Sequence, residues 1–426
     1  MTSVSNKDPY AALKIPEVRA LLFAVALSTL ASSSLAVVIG YQVYRIARDP
    51  LALGTLGLVE AIPALSLALL GGYVADRFER RGIVVVTSGV MVLASVLFAL
   101  VSGQGDTSSL LPLYAVVFVV GIARGFSSPA LGALEAQVVP VHLTVTASSW
   151  MSAAWVGCAI VGPALGGFAF DGLGASGTFW MIAGIYGVAW IFVLFGIKPK
   201  PKPVPPEGER LLESIAVGVR FVFQNQIIVG SMALDLFAVL FGGAIALLPI
   251  FANDILSVGA KGLGFLIAAP SVGALAVMLL TAHRPPMQNA GRNLMLCVAG
   301  FGVTMIVFAL SRNFYLTLFT LMLSGVFDGV SMVIRRSIIR LNSPEHMRGR
   351  IAAVSSIFIG TSNEIGALES GVAAKLLGTT RSVWLGGVVT LLVVGATALL
   401  APKLRGLHLE PMGKDAAPLE ELAAAD

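Results

Sequence analysis

Long apolar runs, separated by short polar or glycine-containing breaks, recur along almost the whole chain. They fall at roughly 18–44, 53–75, 82–102, 110–135, 147–169, 177–197, 226–251, 262–282, 293–311, 314–339, 351–376 and 382–401. About 20 apolar residues cover the hydrocarbon core of a bilayer as one helix. The pattern therefore predicts an all-α membrane protein with twelve transmembrane helices. The fourth and tenth runs are long, as tilted or protruding helices can be. One connection stands apart. Residues 198–225 begin KPKPKPVPP, too polar and proline-rich to span, and their second half suits an amphipathic surface helix. The expected organisation is two six-helix bundles, 1–197 and 226–402, joined by a cytoplasmic linker at 198–225 and followed by a tail at 403–426.

The two halves repeat. A shift of 204 residues aligns 121–184 with the second half without a gap, with twelve of 64 positions identical. The matches favour residues with backbone or packing roles. Gly121 and Gly125 fall on Gly325 and Gly329, Pro140 on Pro344, Gly162 and Gly167 on Gly366 and Gly371, and Trp180 on Trp384. Nearer the start of each half, Gly57 and Pro63 match Gly264 and Pro270 at a shift of 207. Parallel repeats of this kind place a substrate site at midplane between the halves.

Composition agrees with the pattern. The 426 residues are 57% hydrophobic and only 12% charged, against about a quarter charged in soluble domains. The net charge of +5 changes the picture only through its placement. With both termini cytoplasmic, 21 of the 28 Lys and Arg lie on the inner side. Six lie outside (Arg45, Arg48, Lys261, Arg312, Lys375, Arg381), and Arg124 is mid-span. That bias is a membrane-topology signal, not a nucleic-acid footprint. The N-terminus lacks the pattern of a cleaved signal. Cys158 and Cys297 lie in apolar runs, and the four His have no metal-ligand spacing. No P-loop, Rossmann fingerprint or Ser–His–Asp set is present, so neither an enzyme nor direct use of ATP is expected, and no cofactor or metal.

Ionisable groups at bilayer depth are costly and mark function by default. Arg124, Asp235, Asp328, Glu364 and Glu369 stand out, with Glu60, Arg335 and Arg336 placed nearer the interfaces. Arg124 and Asp328 are repeat equivalents of opposite charge. Arg124 is a candidate for binding anionic substrate groups or tuning a carboxylate; the alternative is a buried structural ion pair. Asp328 joins Arg124 as a substrate-binding candidate. Asp235, Asp328 and Glu364 are candidate proton carriers, because desolvation penalises a charged carboxylate and water admitted in one conformation relieves it. Glu364 and Glu369 fall opposite Ile160 and Leu165 in the repeat, so acids replace packing residues. Glu369 and Tyr41 are further substrate-binding candidates. Tyr44, Trp150, Trp155, Phe237 and Phe241 could also line a cavity, although most span aromatics pack or form interfacial belts.

Two motifs bring a family into view. Residues 71–82, GGYVADRFERRG, resemble the G-x-L-x-D-R-x-G-R-R signature of major facilitator transporters, with Val74 and Glu79 departing from it. Gly72 would allow close helix packing. Asp76, Arg77, Arg80 and Arg81 would cap helix ends and form an ion-pair latch, which the resemblance extends to Glu135. Span 5 carries Gly157 to Gly167, GCAIVGPALGG, similar to the G-x-x-x-G-P-x-x-G-G motif of drug:proton antiporters. Gly162, Pro163, Gly166 and Gly167 match, and Gly157 is displaced by one. The resemblance implies an antiporter-type hinge; generic small-residue packing is the plainer reading. Residues 41–81 and 347–371 resemble the enterobactin-exporter branch of that superfamily, a likeness covering nearly the whole chain. It implies a major facilitator fold and proton-coupled export of a siderophore or drug-like molecule from the cell membrane, by a monomer. Lysolipid flipping in the same fold is the second reading. A non-transporting sensor is the third, and the short Ala-rich tail makes a poor output domain for it.

Overall fold

The computed structural model describes residues 8–103, 109–202, 219–242, 244–281, 288–344 and 347–408, and among these there are helices and turns but no strand. Helix is the form expected where lipid offers the backbone no hydrogen-bond partner. The long helices are α1 (Pro16–Ala47), α2 (Pro50–Ala75), α3 (Arg80–Gly103) and α4 (Leu111–Val138). A continuous helical stretch, Thr144–Gly196, follows. Its 53 residues would measure about 80 Å if straight, far more than a bilayer core of about 30 Å. It breaks at Gly174, where φ is 69° and ψ is −177°. The pieces, 144–173 and 175–196, are α5 and α6. Both distal ends return to the start of α1. Trp150 Nε1 donates to Pro9 O at 3.0 Å, and Gly196 packs on Ala20.

The second set comprises α7 (Gln226–Gly242), α8 (Gly259–Thr281), α9 (Ala290–Leu310), α10 (Phe314–Leu341), α11 (Arg348–Leu377) and α12 (Thr379–Leu400). Short helical turns, Ala244–Leu247, Leu248–Ile250 and Phe251–Ile255, carry α7 on toward α8. Ten stretches among the described residues are long and apolar enough to cross a membrane. The expected twelve is reached when Thr144–Gly196 is divided at Gly174 and the more charged α11 is included. Of the linker expected at 198–225, residues 203–218 lie outside the described residues, as do 409–426 of the tail and His346, which falls on His142 at the 204 shift.

Start and stop signals explain several boundaries. Proline opens α1 and α2, where a missing N–H costs nothing. Asp49 caps α2 by accepting the Leu51 N–H at 3.0 Å. Asn313 does the same for α10 through the N–H groups of Tyr315 and Leu316.

The sequence repeat has a physical counterpart. Gly174 and Gly378 are equivalent at the 204 shift, and both have positive φ, 69° and 88°. Each sits at the turn joining the last two helices of its set. Within each set α4 lies on α2, and α10 on α8, in the same way. A Cβ on Gly121 would meet Pro63 Cγ at 2.7 Å, and one on Gly325 would collide with the backbone of Pro270. The sets touch each other through a second symmetric pair. Gly167 of α5 abuts Ala260 and Gly264 of α8, while Gly371 of α11 abuts Pro50 and Gly54 of α2.

One face of the molecule is basic. It gathers Lys14, the loop 76–81 and Lys200, which ties them together by pairing with Glu17 at 2.5 Å and donating its N–H to Glu79 at 3.3 Å. The opposite face lies at the other end of the helices.

Backbone at Gly174 lies in a region that only glycine occupies without strain, and Gly378 lies close to it. Gly174→Ala and Gly378→Ala should each lower stability by about 1–3 kcal/mol. Thermal unfolding of purified protein in detergent reads this, and an unchanged midpoint in both variants would show that the two turns are not fixed by these angles.

Candidate functional site

A cavity of about 620 Å³ lies between the two sets. Its walls are largely apolar, contributed by residues such as Leu35, Ile39, Leu56 and Val120 from the first set and Ile267, Phe301 and Phe327 from the second. Among the described residues five charged groups line it: Glu60, Arg124, Asp235, Asp328 and Glu364.

The charges are organised set by set. Arg124 of α4 forms an ion pair with Glu60 of α2 and donates to Ser32 Oγ of α1 at 2.6 Å. The alternative reading of Arg124, a structural ion pair, is therefore the arrangement present here. In the second set Arg335 of α10 is only 8% exposed and pairs with Asp235 of α7. Arg335 Nη2 also lies 3.5 Å from Asp328 Oδ1. Position within the apolar runs puts Glu60 and Arg335 near the interfaces, whereas both belong to the central charge system. Arg335 carries a signal in the sequence, because it follows Asp328 by seven residues, two helical turns along one face.

Glu364 differs from the others. It lines the cavity from α11, and among the described residues no basic side chain bonds to it. Its Oε2 would lie 2.9 Å from a Cβ on Gly57, so it rests on α2 of the other set. The charged groups that reach it electrostatically are Glu60 and Arg124.

Two substrate-binding candidates lie elsewhere. Glu369 does not line the cavity; it follows Leu368, which packs on Gly54 at the α2–α11 contact. Tyr41 closes the opposite face instead. Its hydroxyl donates to Asn253 Oδ1 at 3.1 Å, and its ring meets Phe170 edge-on at 5.1 Å. Tyr44 bonds Asp254, Arg48 Nη1 lies 3.4 Å from the same carboxylate, and Lys375 pairs with Asp49 at 2.7 Å. Apart from the ring contact, these interactions join the first set to the second. Asn253 and Asp254 are presented by a loosened turn in which Leu256 N–H reaches back five residues to Phe251 O. Hydrogen bonds from Lys375 and from the Leu51 N–H hold the Asp49 carboxyl below the usual carboxylate range. Of the other aromatics, Trp150 bonds Pro9 O at the basic face, Trp155 is exposed, and Phe237 stacks on Phe241.

The loop after α2 caps helix ends and, among the described residues, does not bridge the sets. Arg80 donates to Ala75 O at 3.1 Å and Ala133 O at 3.3 Å, and stands 3.7 Å from Asp76. Arg81 donates to Leu194 O of α6 at 2.6 Å, and Arg77 lies over the Tyr73 ring. Among the described residues Glu135 has no side-chain hydrogen bond or ion pair, so the expected extension of the latch to it is absent in this conformation. Gly72 has no neighbour within 4 Å of its Cβ position. The close approach belongs to Gly71, whose Cβ position collides with Gly125 O. One residue turns a helix by about 100°, enough to move the contact to another face.

The span 5 motif divides similarly. Gly162 and Gly166 pack on α1 at Ser33 and Ser34, and Gly167 and Pro163 contact α8 of the second set. Gly157, expected as part of the hinge, has open space around it and takes no part in this packing.

A helical bundle built as a tandem repeat around a polar-patched central cavity defines a secondary transporter of the major facilitator type. The chain belongs to the transmembrane secretion effector family, whose model matches residues 7–423. It is a multi-pass membrane transporter, not an enzyme. It is similar to the enterobactin exporter EntS of Citrobacter koseri, 24% identical over 419 residues, 95% of this chain and 96% of the relative. It is likewise similar to EntS of Escherichia coli O1:K1, 25% identical over 347 residues, 78% of this chain and 79% of the relative. Among solved structures, a bacterial homolog of the human lysosomal transporter Spinster, inward-facing and unoccupied, superposes with a TM-score of 0.74 at 13% identity, covering 96% of this chain and 100% of that one. A D-xylose–proton symporter superposes at 0.67 with 16% identity, covering 93% and 98%. These two likenesses bear on the fold alone.

Removing one member of a buried ion pair strands the other and costs about 3–5 kcal/mol. Arg335→Gln should therefore destabilise the protein sharply, and adding Asp235→Asn should restore part of the loss. Thermal unfolding of the single and double variants in detergent tests this. Additive losses would show that the pair contributes nothing as a pair.

Proposed function

We propose that this protein is a proton-coupled secondary transporter that moves a small, largely apolar organic molecule outward across the cell membrane by alternating access. The observation that carries the reading is Glu364, a carboxylate in the central cavity with no basic partner among the described residues, resting against the other half of the molecule. Asp235 and Asp328 are less suited to carrying the proton, because Arg335 neutralises them in place.

The step follows from the placement of Glu364. With the basic face in the cytoplasm and both termini there, the contacts of Tyr41, Tyr44, Arg48 and Lys375 close the cavity toward the outside. Substrate enters from the inner side. Rocking of the two halves parts the α2–α11 and α5–α8 contacts at the opposite face, pulls Gly57 away from Glu364 and admits outside water to the carboxyl. A proton bound there from outside is released inside when the halves return, and the gradient drives the cycle. The loop of Asp76, Arg77, Arg80 and Arg81 acts as the inner latch that engages when the inner side closes.

The cavity chemistry narrows the cargo. Arg124 is occupied by Glu60 and Ser32, so an anionic group would have to displace a carboxylate to reach it. A mostly apolar wall and an unneutralised Glu364 favour a molecule without strong negative charge. Export is supported by the family and by the likeness to enterobactin exporters. A siderophore in a protonated, uncharged form or a drug-like amphiphile satisfies both.

Substrate-driven proton movement, followed with a pH-sensitive dye in proteoliposomes, should fall at least roughly tenfold in Glu364→Gln while substrate binding persists. Full proton coupling in Glu364→Gln would sink the assignment of the carrier. Substrate movement indifferent to a pH gradient in the unaltered protein would sink the coupling itself.

A further inference from the structure

We propose that the groove between α9 and α12 at the basic face is a binding site for one anionic phospholipid of the adjacent leaflet. A second cavity, about 440 Å³, lies there, away from the central one, and is lined by Arg292, Met295, Leu296, Ala299, Val394 and Arg405. Its chemistry is divided. Two guanidinium groups stand at one end, and four apolar side chains form the rest, with Leu296 57% exposed on the surface that faces lipid. Neither arginine has an acidic partner among the described residues. A guanidinium matches a phosphate in bidentate geometry, and basic pockets between transmembrane helices at the cytoplasmic boundary recognise anionic headgroups. A soluble anion would satisfy the arginines but leave the apolar wall unused. An acylated phosphate uses both.

The site is built, not incidental. Arg405 is brought to Arg292 by the chain after α12. Leu404 is fully buried in the core beside α7, and Gly291 at the start of α9 donates its N–H to Leu407 O at 3.1 Å. The fit of backbone against backbone is close, since a Cβ on Gly291 would collide with Leu404 O.

The internal repeat supplies the second argument. The 204 shift that carries α6 (175–196) onto α12 (Thr379–Leu400) carries Trp190 onto Val394. In the first half the Trp190 indole fills the corresponding groove between α3 and α6. It packs 3.6 Å from the Cβ position of Gly89 and donates to Val85 O at 2.9 Å. In the second half the plug is reduced to valine, and the groove stands open beneath two arginines. One half closes this groove with its own side chain; the other leaves room for a lipid.

Native mass spectrometry of the full-length protein, delipidated in detergent and titrated with phosphatidylglycerol or phosphatidylcholine, tests the assignment. The unaltered protein should bind one phosphatidylglycerol at least roughly tenfold more tightly than phosphatidylcholine. Arg292→Gln with Arg405→Gln should abolish that preference. Val394→Trp, which restores the plug of the other half and keeps both arginines, should do the same. Millimolar inorganic phosphate should not compete. Retention of phosphatidylglycerol in both variants, equal binding of the two lipids, or displacement by inorganic phosphate would each overturn the proposal. All the altered side chains lie at the surface or face the groove, and the thermal midpoint of each variant in detergent reports whether it is folded.

Discussion

The structure is governed by the cost of holding ionised groups at bilayer depth, and by where each is neutralised. A charge in low dielectric is tolerated only with a partner or with water. Arg124 and Glu60 neutralise each other within the first half, and Arg335 holds Asp235 and Asp328 within the second. Among the described residues no buried ion pair runs from one half to the other. The halves can therefore move relative to each other without separating charges in a medium that would penalise it heavily. The pairs that do cross between halves, Asp49 with Lys375 and Arg48 with Asp254, lie on an exposed face where water replaces a lost partner. Pairs of that kind contribute about 0–1 kcal/mol. Self-contained halves and a weak seal at the opposite face follow from the same rule.

Small residues decide what else crosses the interface. Gly167 against Gly264, and Gly54 against Gly371, bring backbones together, with the Phe168 and Phe265 rings meeting edge-on beside the first pair. Such surfaces separate and re-form more readily than a jigsaw of large residues. Glu364 differs from the rest of this seam, because it rests a carboxylate with no basic partner among the described residues against Gly57 of the other half. The repeat makes the exception visible. The equivalent position is Ile160, so nothing about the shared architecture requires an acid there.

Much of the architecture is legible in the sequence because membrane spans are long and nearly uniform. The apolar runs, the 204-residue repeat and the polar break after residue 197 need no tertiary information. Local register is harder. Gly71, not Gly72, makes the close approach to α4, and Gly157 makes none, because helix faces change with each residue and a motif fixes spacing but not rotation. The central site is half legible. Arg124, Asp235, Asp328 and Glu364 are conspicuous as charges in apolar runs, and all line the cavity. Glu60 lies off the middle of its run, yet it pairs with a residue 64 positions later, which no local pattern encodes. Arg335 sits toward the end of its run, although its long side chain reaches back along α10 to Asp328. Residue type alone points Tyr41 and Glu369 toward the cavity, and residue type does not say which face of a helix looks inward.

Differences between the repeated halves are the more informative half of the comparison. Where the halves agree, as at Gly174 and Gly378 or Gly121 and Gly325, the shared feature serves the fold. Where they differ, the fold does not demand the difference. Arg124 becomes Asp328, Ile160 becomes Glu364 and Trp190 becomes Val394. The first two substitutions place the charge imbalance of the central cavity in the second half. The third opens a groove at the edge of that same half. A symmetric bundle offers two equivalent routes for every contact, and directionality in a transport cycle requires that they not be equivalent. The second half, with an acid at its seam that has no basic partner among the described residues and an unfilled groove at its rim, is where this chain departs from symmetry.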